Sequence, residues 1–323
     1  MKNVLITGIS GQDGIFLAHN FLKKEPETNI FGISRNTKGI IKKLKYLDLG
    51  VNTNNLNLIS GDLTDLNLCK NILNEVRFDQ IYNLSGPSNV YESLNQPVET
   101  KNNIIKIFNN LTENIIKSGK LINFFQASSS EMYGNNGEKV LDEKSKFNPN
   151  SAYAEAKLIN HKKILMYKNE LNWNITSGIM FNHESEFRKN NFLFMKIINK
   201  ALEIKKKNKG FLEVGSLDYK RDWSYAQDIV DAMYLINKNP KSGVYVIGSG
   251  TSYSIERIID RVFNVLNLDY KNYIKVNPKL LRDGDPVEIF SNPQKLKNDY
   301  RWEPKYNLES FIKKIINYQN LVK

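Results

Sequence analysis

The chain has 323 residues, 41% of them hydrophobic and 25% charged, which describes a globular protein with a sizeable core and length for about two domains. Its net charge is +12, but the lysines are dispersed and no nucleic-acid recognition motif is present, so a basic surface for anionic small molecules is expected and a nucleic-acid partner is not. No apolar run approaches the roughly 18 residues that cross a bilayer, the single Cys69 excludes an internal disulfide, and His19, His161 and His183 lack metal-ligand spacing. The expectation is a cytoplasmic protein with neither membrane nor metal partner.

In chain order, residues 4–7 read as a buried strand and 15–24 as a helix. Strands follow at 29–34, 56–60, 80–84, 121–128 and 175–180, with helices at 100–118 and 153–171 between them. Such alternation implies an α/β fold: a doubly wound parallel sheet of the Rossmann kind, covered on both faces. Beyond residue 182 helices and loops dominate. Residues 244–247 read as a return strand, and the tail from 254 reads as helix, loop and helix. The dense run Lys205-Lys206-Lys207-Asn208-Lys209 is a solvated helix end or loop. We expect a nucleotide-binding domain over 1–180 and about 222–250, and a smaller, mainly C-terminal substrate-binding domain over about 181–221 and 251–323.

Gly8-Ile9-Ser10-Gly11-Gln12-Asp13-Gly14 stands between the first strand and the first helix. Gly8 suits a tight turn, Gly11 a close approach of backbone to a pyrophosphate, and Gly14 close packing of helix on strand. The helix N-terminus then offers free N–H groups to phosphates. The second strand ends in Ser34-Arg35-Asn36-Thr37-Lys38, without a carboxylate for a ribose 2′-hydroxyl. Arg35 can pair with a 2′-phosphate, which favours NADP over NAD. Asp62, followed by Leu63, can accept from the adenine amino group or serve as a turn or capping aspartate. Leu84, after the fourth strand, completes the expected cofactor contacts.

Tyr153 and Lys157 lie four residues apart on one helix face. An ammonium beside a phenol favours phenolate, making the tyrosine a base towards a hydroxyl. The fifth strand ends in Ala127-Ser128-Ser129-Ser130-Glu131, which brings a hydroxyl and a carboxylate to the end of the sheet where ligands bind. The serines can equally cap a helix or turn, and Glu131 can be a solvated carboxylate. As a second acid/base, Glu131 supplies what loss of water demands and simple alcohol oxidation does not.

These residues, with Gln126 to Gly134, Phe181-Asn182-His183-Glu184-Ser185 and Lys220-Arg221-Asp222-Trp223, resemble the extended short-chain dehydrogenase/reductase family, and within it the GDP-mannose 4,6-dehydratases, from Thr7 to about Pro304. The resemblance implies conversion of a GDP-hexose to its 4-keto-6-deoxy derivative. Ser129, Glu131, Tyr153 and Lys157 would be catalytic, with Ser129 standing where threonine is usual. Asn182, Lys196, Arg221 and Arg282 would bind the nucleotide diphosphate, and Asp285 the nucleotide ribose. A homodimer or homotetramer is also implied. Three departures stand out. Asn36 replaces a second arginine, Met195 replaces an arginine before Lys196, and Ser85-Gly86-Pro87-Ser88-Asn89 differs in the sugar pocket, where Ser88 would meet the hexose. GDP-mannose and GDP-N-acetylglucosamine both remain open as substrates. A nucleotide-sugar 4-epimerase or 4-dehydrogenase is the alternative enzyme, and a non-catalytic NADP-binding protein the alternative of another class.

Overall fold

The computed structural model describes residues 1–241 and 243–322. Fourteen strands are found in chain order: β1 (Asn3–Thr7), β2 (Asn29–Ser34), β3 (Leu56–Ser60), β4 (Gln80–Asn83), β5 (Asn123–Ser129), β6 (Val140–Leu141), β7 (Ile175–Met180), β8 (Asn182–Glu184), β9 (Leu212–Val214), β10 (Lys220–Tyr225), β11 (Val244–Ile247), β12 (Ser252–Ser254), β13 (Ile274–Val276) and β14 (Glu288–Ser291). Seven of them form one sheet in the order β11-β7-β5-β4-β1-β2-β3. Every pairing in it is parallel.

Strand β1 shows why the sheet must be covered twice. Val4 and Ile6 enter one core cluster and Leu5 the other, and all three are fully buried. A strand with three successive apolar residues satisfies both its faces only between two helical layers. On one face Phe16 and Phe21 of the helix Gln12–Lys24 pack with Ile229 and Met233 of the helix Ala226–Lys238. On the other, Phe108 and Ile115 of the helix Pro97–Ser118 pack with Phe124 and Trp173. Trp173 also donates from Nε1 to the Ile122 carbonyl at 2.6 Å, so its indole is buried without an orphaned donor.

The strands expected from the sequence at the start of the chain lie where expected, to within two residues, and the return strand β11 pairs with β7 at the sheet edge. The region after residue 182 holds more strand than expected. A second sheet has the order β12-β10-β14-β6, with β8 also beside β10. These strands span two to six residues each, too short for period-two alternation to emerge, and β10 carries Lys220, Arg221 and Asp222. Its register comes from tertiary contacts. Asp222 is fully buried and accepts from the Ser249 and Gly250 N–H groups at 3.0 and 2.9 Å and from the Ser249 hydroxyl at 2.6 Å. It also accepts from the Ser291 N–H at 3.2 Å, tying the loop after β11 to β14.

Among the described residues no helix is long and apolar enough to cross a membrane, and no group of three or more His, Cys, Asp or Glu is arranged to hold a metal.

Candidate functional site

The glycine loop sits at the carboxyl end of β1 as its spacing requires. Gly8 has φ +68°, and a Cβ there would lie 2.8 Å from the Leu84 carbonyl oxygen. A Cβ on Gly14 would lie 2.5 Å from the Ile9 Cα, so the helix packs on the loop only because this residue is glycine. Gly11 caps the helix Gln12–Lys24 without a side chain, leaving its first N–H groups free for an anion. This cradle fits a dinucleotide pyrophosphate. The side chains of Gln12 and Asp13 are engaged inside the protein, so what they offer a ligand is backbone. Gln12 donates to the His183 carbonyl at 2.9 Å and accepts from the Ser185 hydroxyl at 2.9 Å.

Asp13 meets His183 Nε2 at 3.1 Å, while His183 Nδ1 donates to the Phe181 carbonyl at 2.7 Å. With an acceptor on each ring nitrogen the imidazole is held as a cation. Burial alone would lower the His183 pKa, but Asp13 outweighs it and the net shift is upward. Asp13 is the reciprocal case: burial opposes its charge, His183 restores it, and its pKa falls.

At the end of β2, the Ser34 and Ser10 hydroxyls share a hydrogen bond of 2.7 Å, with Arg35 exposed beside them. The Lys43 ammonium donates to the Ser10 carbonyl at 3.1 Å, a second cation at this loop that sequence reading did not single out. Asp62 accepts from the Thr64 N–H at 2.9 Å, which holds its pKa below the usual carboxylate value, so it serves a turn in this structure. The helix Leu66–Glu75 is capped by Asp65 instead. Leu63 offers its carbonyl to Asn110 Nδ2 at 2.9 Å, and the Leu84 N–H donates to Thr7 Oγ1 at 3.0 Å.

Tyr153 and Lys157 lie in the first turns of the helix Ala152–Leu171, whose cap is Ser151. Both are buried, and the Lys157 ammonium stands 5.6 Å from the Tyr153 ring centroid. Burial pushes the phenol up to about 12, against a hydrogen bond from Ser129 that lowers it. Burial pushes Lys157 down to about 8. Near neutral pH the pair is therefore a phenol beside an ammonium. Ser129 fills both roles open to it: its hydroxyl accepts from the Glu131 N–H at 3.2 Å, capping the short 3-10 helix Ser130–Tyr133, and it also bonds Tyr153.

That short helix carries Glu131 to a chain of ion pairs. Arg282 Nη1 lies 3.4 Å from Glu131, Arg282 Nη2 lies 2.9 Å from Asp285, and Arg221 Nη2 lies 3.7 Å from the same Asp285 carboxylate. The structure thus brings Ser129, Glu131, Tyr153 and Lys157 together, with Arg282, Asp285 and Arg221 against them. Asn182 pairs with Trp223 in the β8–β10 register. Ser88 is exposed on the loop after β4, and Lys196 lines a separate open concavity of about 470 Å³ with Asn190, Lys200 and Phe211.

Arg188 also went unnoticed in the sequence, and Glu184 was marked only as part of a motif, without a role. Arg188 Nε lies 3.3 Å from Glu184 and its guanidinium rests 3.5 Å over the Phe192 ring. Its positive charge opposes the upward shift that burial imposes on Tyr153 and helps hold Asp13 ionised. An arginine in an ordinary charged segment gives no sequence signal of that placement.

The chain matches the family model described as GDP-mannose 4,6 dehydratase over residues 5–315. It is 30% identical to the human GDP-mannose 4,6 dehydratase, covering 98% of this chain and 91% of that protein. It is 29% identical to GDP-mannose 4,6 dehydratase 2 of Arabidopsis thaliana, covering 98% and 86%. Among solved structures it resembles the dTDP-glucose 4,6-dehydratase of Bacillus anthracis in complex with NAD, with TM-score 0.85, 20% identity and coverage of 99% and 97%. The likeness extends to a UDP-glucose 4-epimerase of Thermotoga maritima, with TM-score 0.84, 20% identity and 99% coverage of each chain. At these identities the solved structures speak for the fold, and the family match for the lineage.

Proposed function

The chain belongs to the GDP-mannose 4,6 dehydratase family and is a GDP-sugar 4,6-dehydratase, a hydro-lyase; from this premise we propose that it uses NADP and works with Tyr153, Lys157, Ser129 and Glu131 on GDP-mannose or GDP-N-acetylglucosamine. The supporting observation is the convergence of a buried phenol, ammonium and hydroxyl with an ion-paired carboxylate at the carboxyl end of β5. For NADP the support is Arg35 just after β2, with the Lys43 ammonium of the helix Ile40–Leu47 against the Ser10 carbonyl and no carboxylate in the segment 34–38.

In the reaction Tyr153, in its phenolate form, takes the proton of the C4 hydroxyl; that form is reached from the resting phenol by loss of the phenol's proton to solvent and is stabilised by the Lys157 ammonium. A bound nicotinamide would supply the hydride acceptor for C4 and the hydride donor for C6. Ser129 and Tyr153 donate to the resulting C4 carbonyl oxygen. The ketone acidifies C5–H. Glu131 removes that proton and delivers it to the C6 hydroxyl, which leaves as water. C5 then takes up one proton, balancing the one lost from the C4 hydroxyl.

Asn182, Lys196, Arg221 and Arg282 are assigned to the nucleotide diphosphate, Asp285 to the nucleotide ribose and Ser88 to the hexose. The nucleotide-binding domain would span 1–180 and about 222–250, with substrate binding in the remainder. A cytoplasmic homodimer or homotetramer is the assembly in keeping with the family. The test is incubation with GDP-, UDP-, CDP- and dTDP-hexoses read by mass. Loss of 18 mass units from a GDP-sugar is the expected result. Unchanged mass with altered sugar configuration means a 4-epimerase, and loss of two units with accumulating NADPH means a 4-dehydrogenase.

A further inference from the structure

A chain of hydrogen bonds leads to the carbonyl that holds Lys157, and counting donors fixes its direction. Thr7 ends β1 immediately before the glycine loop and is fully buried. Its Oγ1 accepts from the N–H groups of Leu84 and Ser85, at 3.0 and 3.1 Å. Both lone pairs are then in use, so its one hydroxyl hydrogen goes to Asn83 Oδ1 at 2.8 Å. The Asn83 amide must therefore present nitrogen to its other neighbour, and Nδ2 donates to Gln126 Oε1 at 2.7 Å. Gln126 in turn presents Nε2, which donates to the backbone carbonyl of Ala127 at 3.0 Å. That same oxygen receives the Lys157 ammonium at 2.7 Å.

The placement follows from the sheet. Thr7, Asn83 and Gln126 are register partners across β1, β4 and β5. Strand β4 ends opposite Gln126, one residue short of Ala127, so side chains meet the Ala127 carbonyl there. Thr7, Asn83, Gln126 and Lys157 are all buried, where hydrogen bonds polarise one another with little screening by water. The dipoles run head to tail with the positive end at the Ala127 oxygen. Gln126 and Lys157 also compete for the electron density of that one carbonyl. Both effects weaken its hold on an ammonium.

We propose that Thr7, Asn83 and Gln126 are positioning residues, a directional hydrogen-bond chain that limits how tightly the Ala127 carbonyl holds the Lys157 ammonium and so sets how readily this lysine gives up its charge. The proposal rests on the reading of Lys157 as catalytic. The chain carries no formal charge. The groups that act on the neighbouring Tyr153 are Ser129, Glu131, Arg188 and Asp13, and none of them belongs to it.

The test uses the full-length protein labelled with ¹³C at lysine Cε, with the Lys157 resonance identified by its loss in Lys157→Arg. Thr7→Val is isosteric and lies three hydrogen bonds from the Ala127 oxygen. It and Gln126→Met are each expected to raise the Lys157 titration midpoint by about half a unit to one unit. The double variant moves no further than Gln126→Met alone, because Thr7 acts on the Ala127 oxygen only through Gln126. Thr7→Ser, which keeps the hydroxyl, returns the midpoint to the wild-type value. In turnover the alkaline limb of the kcat profile moves upward with the midpoint. A merely structural role lowers Tm and leaves the midpoint in place. Midpoints that coincide with wild type, or additive shifts, overturn the proposal. If Gln126→Met does not fold, Thr7→Val against Thr7→Ser decides alone. Wild-type turnover in Lys157→Arg would sink the catalytic reading instead, while the titration still reports on the chain.

Discussion

The two sides of the site are built on different terms. On the cofactor side, Thr7, Gln12, Asn83, Gln126 and His183 are buried and paired within the protein, and the glycine loop is held by backbone contacts that a Cβ would break. On the sugar side, Glu131, Arg282, Asp285 and Arg221 pair across three separated stretches of chain, and the Glu131 and Arg282 side chains stay about a quarter exposed. The first region is preorganised. The second holds its charges in ion pairs with one another, and under the proposed assignment a diphosphate engaging Arg282 would take the place of Glu131 and Asp285 as its anion and free the Glu131 carboxylate. Affinity on that side is thus an exchange of one anion for another, and neither the arginines nor the carboxylates can be assessed singly.

The largest expected effect breaks the preorganised side at its reactive group. Tyr153→Phe keeps the ring and removes the hydroxyl. Turnover should fall about 10³-fold with little change in KM, measured by steady-state kinetics on the accepted GDP-sugar.

Removing the cation beneath the cofactor loop comes next. His183→Asn leaves Asp13 buried without its partner and should cost about 3 kcal/mol of unfolding free energy. The pH dependence has a defined window. His183 has a raised pKa, so its contribution is complete below the ordinary imidazole value of 6.5 and fades as pH rises through the folded value. Asp13 has a lowered pKa, so its contribution is complete above 3.8 and fades as pH falls through the folded value. The gap between wild-type and variant denaturation midpoints should therefore be widest between about pH 4 and pH 6.5. A gap that is flat across pH would mean that the pair carries no charge.

The smallest effect sharpens the view of the sugar side. Arg282→Met removes the grip on the diphosphate and also releases Glu131, so KM should rise about tenfold while kcat changes less than threefold. A collapse of kcat at unchanged KM would mean that Arg282 acts on the chemistry and not on binding.

The same contrast explains how much could be read from the sequence. Strands β1 to β5 and β7 carry short apolar clusters alternating with helical segments, and the glycine loop and the Tyr153–Lys157 spacing are local patterns, so this part of the fold was legible from the sequence. The second sheet was not. Strands such as Asn182–Glu184 and Ser252–Ser254 are three residues long, and their register is set by Asp222 binding groups from residues 249, 250 and 291. The meeting of Glu131 with Arg282 joins positions 151 residues apart. Family resemblance pointed to those residues individually, but their mutual pairing exists only in the folded chain. Lys43 and Arg188 went unseen for the same reason.

The central claim is that Glu131 carries the proton from C5 to the departing C6 hydroxyl, and Glu131→Gln tests it most directly, because the amide keeps the shape and cannot remove a proton. Incubated with NADP and the accepted GDP-sugar, the variant should lose water at least about 10²-fold more slowly than the wild type while absorbance at the reduced nicotinamide still rises as C4 is oxidised. Loss of 18 mass units from the GDP-sugar at the wild-type rate would contradict the account.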